Sequence, residues 1–510
     1  MRSDGVSVVG DDALDEEVVG EEPAGTSPGV GARRSLRVTV LGALRTGRRW
    51  GAAALVVALG ALLGLAAVRV VGAEDPLSIV DEHAHLDYAL RVHDGVVPLR
   101  GMEYDQRVVD EWACGVGHEA GAPWTCGDPA ASAATLPSGR YTSGYIHYPT
   151  YFVAADGFRR ALDATGAQLR PLTAYRGFSA VCLVLGVVAC AGAARAAGLR
   201  GSALVAAALA PSAGGSVLLF GVLVNPVSTA VLCGGLVAWA AVRWVRSGRG
   251  FWVVVAASAL AAGTAVTSSL PVVAVGAAAT FVWWRRRTGR RVDGPWRPHL
   301  GHVGLLAAVV LAPVVVWGRV IAARAVVPNA ELYGAYPVPP ALELLGGGLL
   351  ELGPHVAWVD PLASRLVGDA TVGALARGAA YAATAWLGPV VVVVAVLLLL
   401  GVVVVTARRT PGGEARDEPA ASVAPASRWA QPAVALVAGT VLALVAHAPL
   451  LRISNALTMG IDHPVVARYA LALSPLLVLG VLLALRDRRV DRLLATLAVV
   501  AVAGVGLGAL

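Results

Sequence analysis

Long apolar runs separated by short polar breaks fill most of this chain. Eleven can be drawn, at about 51–72, 173–194, 201–223, 227–242, 252–267, 270–284, 303–322, 378–406, 432–450, 465–485 and 493–510. Most approach the roughly 20 residues that a helix needs to cross a hydrocarbon layer about 30 Å thick. The pattern predicts an all-α integral membrane protein with about 11 transmembrane helices, 10 to 12 depending on how the short runs are divided. The runs 252–267 and 270–284 form either a tight hairpin or one longer helix kinked at Pro271.

The polar stretches divide the rest. Residues 1–32 are acidic and rich in small residues, and read as a disordered cytoplasmic tail. A basic juxtamembrane segment follows at 33–50. The polytopic membrane domain, 51–510, includes a long first extracytoplasmic loop at 73–172, a second at 323–377 and a cytoplasmic linker at 407–431. Arginines fall on alternate connections: Arg195 and Arg200; Arg243, Arg246 and Arg249; Arg285, Arg286, Arg287, Arg290 and Arg291; Arg408 and Arg409; Arg486, Arg488, Arg489 and Arg492. The short turns at Asn225-Pro226 and Ser268-Ser269 carry none. That alternation predicts an inner (plasma) membrane protein with its N-terminus in the cytoplasm. The first run is long and lacks a cleavage site before the polar loop, so it reads as an uncleaved span.

Composition changes this picture little. A hydrophobic content of 56% excludes an ordinary soluble domain, and the lipid bilayer is the first expected partner. The net charge of +7 comes from arginines beside the spans, without zinc-finger spacing or a basic stripe with interleaved aromatics, so nucleic acid is not an expected partner. Every basic residue is arginine, which fits GC-rich coding. Of five cysteines, Cys182, Cys190 and Cys233 lie in apolar runs, while Cys114 and Cys126 share the first loop and are candidates for a disulfide in an oxidising compartment.

Chemistry concentrates in Asp81-Glu82-His83-Ala84-His85, just beyond the first run. Ser78 followed by Asp81 resembles a capping box, and Gly95 is a natural stop, so 79–94 is expected to be helical. Leu86, Ala89, Leu90 and His93 form its more apolar stripe, which would lay the helix along the membrane surface. Asp81, His85 and Tyr88 then share a face. Such a face suits a carboxylate of tuned basicity, or Asp81 and His85 as part of a divalent-metal site. Charged residues on a surface helix between spans are the ordinary alternative, with Asp81 merely favoured at a helix N-terminus.

The stretch Asp81-Glu82-His83-Ala84-His85-Leu86-Asp87-Tyr88-Ala89, with Gly95 and Pro98 behind it, resembles GT-C-type membrane glycosyltransferases, and more closely a bacterial family of polytopic membrane proteins related to them. Ile146-His147-Tyr148-Pro149-Thr150-Tyr151 resembles that family's His-Pro-Pro-Leu-Tyr-Tyr type of segment, Val224-Asn225-Pro226 its Asn-Pro motif, and Ala467-Arg468-Tyr469 before Leu473-Ser474-Pro475 its late Arg-Tyr motif. Tyr148 stands where a proline is common, and Val227 where a polar or small residue is. The resemblance implies transfer of a sugar from a polyprenyl-phosphate donor to an envelope glycan or lipid acceptor. Asp81, with Glu82 as its nearest substitute, would act as general base or hold a magnesium or manganese ion beside the donor phosphate.

Arg468, just inside a span, is costly in hydrocarbon unless it meets an anion or reaches the headgroups, so it is the candidate donor-phosphate ligand, with snorkelling as the plain alternative. Arg452, Arg324 and Arg365 are lesser versions in loops. His147 and His463 sit close to prolines and read first as loop residues; Asn225 reads first as a cap. Tyr469 completes the candidate set. Two other functions fit the same architecture: a transporter or flippase of lipid-linked precursors, disfavoured by the scarcity of acids inside the spans, and a non-catalytic envelope-assembly protein.

Overall fold

The computed structural model describes residues 51–73, 75–78, 81–116, 125–136, 139–289, 292, 294–327, 340–350, 374–408, 430–459, 465 and 467–509. His463, Arg365, the acidic tail, the basic segment 33–50, most of the 407–431 linker and much of the 323–377 loop therefore lie outside the described residues. Among the described residues of the body spanning Trp50–Leu510, every regular element is helical, apart from two isolated bridges, Leu77 with Val116 and Glu103 with Tyr141.

Nine helices among the described residues are long and apolar enough to cross a bilayer. The chain is thus a multi-pass, all-α membrane protein. In order, the elements are α1 (Gly51–Gly72), α2 (Glu82–His93), α3 (Gln106–Cys114), α4 (Pro149–Ala164), α5 (Pro171–Ala196), α6 (Ser202–Leu209), α7 (Gly215–Phe220), α8 (Ala230–Ser247), α9 (Phe251–Thr264), α10 (Leu270–Arg287) and α11 (Leu300–Ala323). Then come α12 (Ala341–Leu350), α13 (Ala374–Arg408), α14 (Ala430–Met459), α15 (Ser474–Leu485) and α16 (Arg488–Ala509). Proline sets several starts: Pro149, Pro171 and Pro271 stand in the first turn, where a missing N–H costs nothing.

Two of the eleven expected runs are not long helices. The run 201–223 breaks into α6, a 3-10 turn at Ala210–Ser212 and α7, because Pro211 removes a donor and Gly214-Gly215 follow at once. All of 203–224 is buried, so this irregular backbone is shielded by protein and not lipid. The run 252–267 is α9, only 14 residues long. It gives way through Thr267–Ser269 to α10, so the two runs are not one longer helix and Pro271 starts a helix without kinking one.

Small residues let these helices meet closely, as expected where packing drives association between helices in lipid. A Cβ on Gly439 of α14 would fall 2.3 Å from the Ala274 carbonyl of α10. One on Gly234 of α8 would fall 2.2 Å from the Ala472 carbonyl. That second approach positions the site, because Ala472 belongs to a seven-residue 3-10 stretch, Ala467–Leu473, leading into α15. Runs of 3-10 helix longer than 3–4 residues are uncommon and mark a constraint. By contrast α11 is covered over only 6% of its apolar window and forms part of the lipid-facing rim.

The two ends of the bundle differ. One gathers Arg246, hydrogen-bonded to the Ala196 carbonyl, with Trp244, Phe251, Trp296 and His302 in ring contact. The other carries a helical layer built from α2, α3 and α4. Its core includes Tyr88, Val108, Trp112, Tyr151, Phe152 and Tyr175. This layer is anchored to span ends by Val326 N–H donating to the Arg100 carbonyl and Trp317 Nε1–H to the Tyr145 carbonyl.

Candidate active site

The segment expected as a surface helix over 79–94 is a buried one over 82–93. Every residue from Glu82 to Leu90 is buried, because α3, α4 and the start of α5 cover the faces that a membrane-lying helix would expose. The expected capping box does not form. Asp81 occupies the N-cap with no side-chain cap bond, in the left-handed region (φ 57°, ψ 0°), and the Ser78 N–H donates to the Glu82 carboxylate. Gly95, at φ 77°, does end the helix region.

Adjacent acids meet different fates there. Glu82 is wholly buried. Its Oε1 accepts from Arg176 Nε at 2.9 Å and Val224 N–H at 2.9 Å; its Oε2 accepts from Arg176 Nη2 at 2.6 Å and Ser78 N–H at 2.8 Å. Arg176 also donates to the Asp75 and Pro76 carbonyls. This bidentate pair joins α5 to the start of α2 and to the loop before the 3-10 turn Pro226–Thr229. With its oxygens taken by four donors, Glu82 is a structural acid and no substitute for Asp81 as a base.

Asp81 keeps 56% of its side chain exposed and, among the described residues, pairs with one cation, the Arg468 Nη2 group. Arg468, from the 467–473 stretch, is 387 residues away in sequence and nearly buried. Its guanidinium lies over Phe220 at 4.9 Å and Tyr469 at 5.3 Å, and its Nε has no partner. Arg468 thus points into the protein and meets an acid, instead of snorkelling to headgroups.

His147, expected as a loop residue, stands within this group. Its ring centroid lies 4.6 Å from that of His85, and both face Phe152. Burial, countered by Asp81 and assisted by Arg468, lowers His147 to about 4. Burial also drives His85 well below the usual range, with His147, Arg468 and His83 adding to it. The His85 Nδ1 is buried and unpartnered. Tyr88 stacks on Phe152 at 3.9 Å with its hydroxyl buried and unpartnered, and burial raises that hydroxyl's pKa.

Asn225 stays out of this cluster. Its side-chain oxygen accepts from Val227 N–H at 2.9 Å and its own N–H donates to the Tyr151 hydroxyl, so it caps the 3-10 turn. Cys114 and Cys126 are joined by a disulfide. The divalent-metal expectation does not fit: among the described residues no three His, Cys, Asp or Glu side chains are grouped to hold an ion, and Asp81 is already paired with a cation.

Three residues escaped the sequence reading. Arg176 stands four residues into a drawn span and carried the same intramembrane-charge signal as Arg468. Phe220 under the guanidinium gave no signal. Asp87, wholly buried and raised in pKa by burial against the opposing pull of Arg91, binds Arg91 and the Asp105 N–H and ties α2 to α3.

Asp81, His85, His147, Arg468 and Tyr469 are therefore brought together at one end of the bundle; Glu82 and Asn225 are committed to structure. Comparison with family models, curated proteins and solved structures finds no match for this chain.

Proposed function

We propose that this chain is a membrane glycosyltransferase of the GT-C type that moves a sugar from a polyprenyl-phosphate donor to an envelope acceptor on the outer face. The supporting observation is the meeting of Asp81 with Arg468: a half-exposed carboxylate beside a nearly buried guanidinium whose Nε is unpartnered. Arginines crowd the opposite end of the bundle, which favours an outward-facing site by the positive-inside rule. The disulfide in the same layer fits an oxidising compartment.

The reaction these residues suit is a displacement at the sugar's anomeric carbon. The bond from that carbon to the phosphate oxygen breaks, its electron pair staying with the phosphate. The acceptor oxygen forms the new bond and gives up its proton. Arg468 offsets the charge gathering on the departing lipid phosphate. Asp81, freed as Arg468 turns to the phosphate, takes the proton. In the free protein His147 and His85 are kept neutral by burial and line the site.

A transporter or flippase of lipid-linked precursors is the second reading, favoured by the broken crossing of α6 and α7 beside Arg468. One assay separates the two. Purified protein in proteoliposomes is offered a panel of polyprenyl-phosphate sugars, and both glycosyl transfer and leaflet exchange are followed. Transfer that is lost in Asp81→Asn supports the enzyme. Exchange without transfer supports the flippase, and neither activity across the panel overturns both.

A further inference from the structure

Arg468 is not waiting empty-handed. An anion that takes up its guanidinium competes with Asp81 for it, and the arginine paired with the neighbouring acid offers that carboxylate no replacement. Arg176 is held by Glu82 and two backbone carbonyls. Asp81 would then be left beside a second negative charge in a partly desolvated corner, where charge interactions are stronger than in water. An imidazole is at hand to answer it. His147 faces Asp81 and His85 from the start of α2, Arg468 from the 467–473 stretch and Phe152 from α4. Behind it, the His85 Nδ1 is a buried nitrogen with no hydrogen-bond partner, so a protonated His147 has an acceptor close by.

We propose that the Arg468 site takes a lipid phosphodiester by exchange for Asp81 and gains one proton on His147 as it does so. The charge count carries the idea. Without ligand, Arg468 and Asp81 cancel and both imidazoles are neutral. A phosphodiester brings one negative charge, and one proton on His147 restores the balance. The proton comes from water and leaves with the ligand. The inference rests on the phosphate-binding part of the function proposed above and adds to it a built-in competitor and a linked proton.

The direction of the linkage follows from His147. In the free protein burial and Arg468 hold it at about 4, so at neutral pH it carries no charge. Once Arg468 is neutralised by the ligand and Asp81 is unpaired, the influence lowering His147 weakens and the one raising it strengthens. Its affinity for a proton rises, and ligand affinity must increase as pH falls towards the free-protein value. If the bound value returns to the ordinary 6.5 or so, binding at pH 5.5 is about tenfold tighter than at pH 8.

The test uses the full-length protein in detergent and farnesyl glucosyl phosphate, a phosphodiester that carries one charge throughout this pH range. Isothermal calorimetry at pH 5.5 and 8, in two buffers of different ionisation enthalpy, gives affinity and protons taken up. Expected are the tenfold change, uptake of most of one proton at pH 5.5, and loss of both in His147→Gln. Asp81→Asn should bind about three- to fivefold more tightly at pH 8, the worth of a partly exposed ion pair removed as competitor. His147→Asn, read alongside His147→Gln with thermal unfolding, guards against a folding defect. If wild type binds with no pH dependence and no proton uptake, or His147→Gln keeps both, the linkage is wrong while phosphate binding stands. If Asp81→Asn binds no more tightly, the exchange is wrong. If nothing binds at either pH, the phosphate site falls as well.

Discussion

Glu82 and Asp81 are neighbours in sequence and each meets an arginine, yet the two pairs are built for opposite ends. The Glu82–Arg176 pair is dry on both sides, bidentate, and surrounded by further donors and acceptors that leave no lone pair idle. Asp81–Arg468 is a single contact between a carboxylate half in solvent and a guanidinium steadied by two aromatic rings, with its Nε unused. A saturated pair can only hold structure together. An unsaturated one can exchange partners, and that capacity marks a site.

The largest effect expected from breaking this contrast is at the closed pair. Glu82→Gln leaves Arg176 charged and buried, which typically costs about 3–5 kcal/mol. Thermal unfolding in detergent should show a large loss of stability, and the double variant Glu82→Leu with Arg176→Leu should recover much of it. A Glu82→Gln protein as stable as wild type would place Glu82 among the exchangeable groups and undo the distinction.

At the open pair the order reverses: function suffers and the fold does not. Asp81→Asn should lower glycosyl transfer by about 10²–10⁴, the range for removing a general base, while the melting temperature stays near wild type. Equal loss of activity and stability would instead make Asp81 a second structural acid.

A smaller effect separates His83 from the site. It packs against Tyr104 and Trp112, and burial lowers it to about 4 despite the pull of Asp81 and Glu82. The folded state therefore holds His83 neutral where the unfolded chain would protonate it. Its contribution is present above pH 6.5 and is lost as pH falls from there to about 4. The loss amounts to about 3 kcal/mol, from the two pKa values. Asp87, raised by burial, pulls the other way in wild type and variant alike, so the comparison to make is His83→Phe against wild type. The variant should show the flatter stability curve between pH 6.5 and 4, with transfer unchanged at neutral pH.

Much of this was legible beforehand, and the gaps have physical causes. Apolar periodicity located nine spans within a few residues, because lipid leaves a helix no alternative way to satisfy its backbone. It overran at 201–223, where hydropathy is blind to Pro211 and Gly214-Gly215. The Asp-Glu pair stood out as acids crowded with histidines just beyond the first run, and Arg468 as a costly charge inside a span. Their partners were not, since a contact across 387 residues leaves no local trace. The helix of Glu82 was expected on the surface because its mix of His, Asp and Leu looks amphipathic. Burial on every side became possible only because Glu82 and Asp87 found Arg176 and Arg91.

The smallest prediction tests the backbone beneath the open pair. Asp81 is one of two non-glycine residues with positive φ among those described, and it sits directly before α2. That conformation costs most L-residues about 1–2 kcal/mol, less for Asp, and glycine nothing. Asp81→Gly gives up the side chain and some chain entropy but fits the turn. Asp81→Ala gives up the same side chain and must strain to fit. Asp81→Gly should therefore unfold at a higher temperature than Asp81→Ala, by about 1 kcal/mol in stability, with both inactive in transfer. An Ala variant equal to or more stable than the Gly variant would mean that the turn is not left-handed. Arg468 would then be meeting a carboxylate carried on an ordinary helix start, and the exchangeable pair would lose the left-handed turn on which its acid is presented.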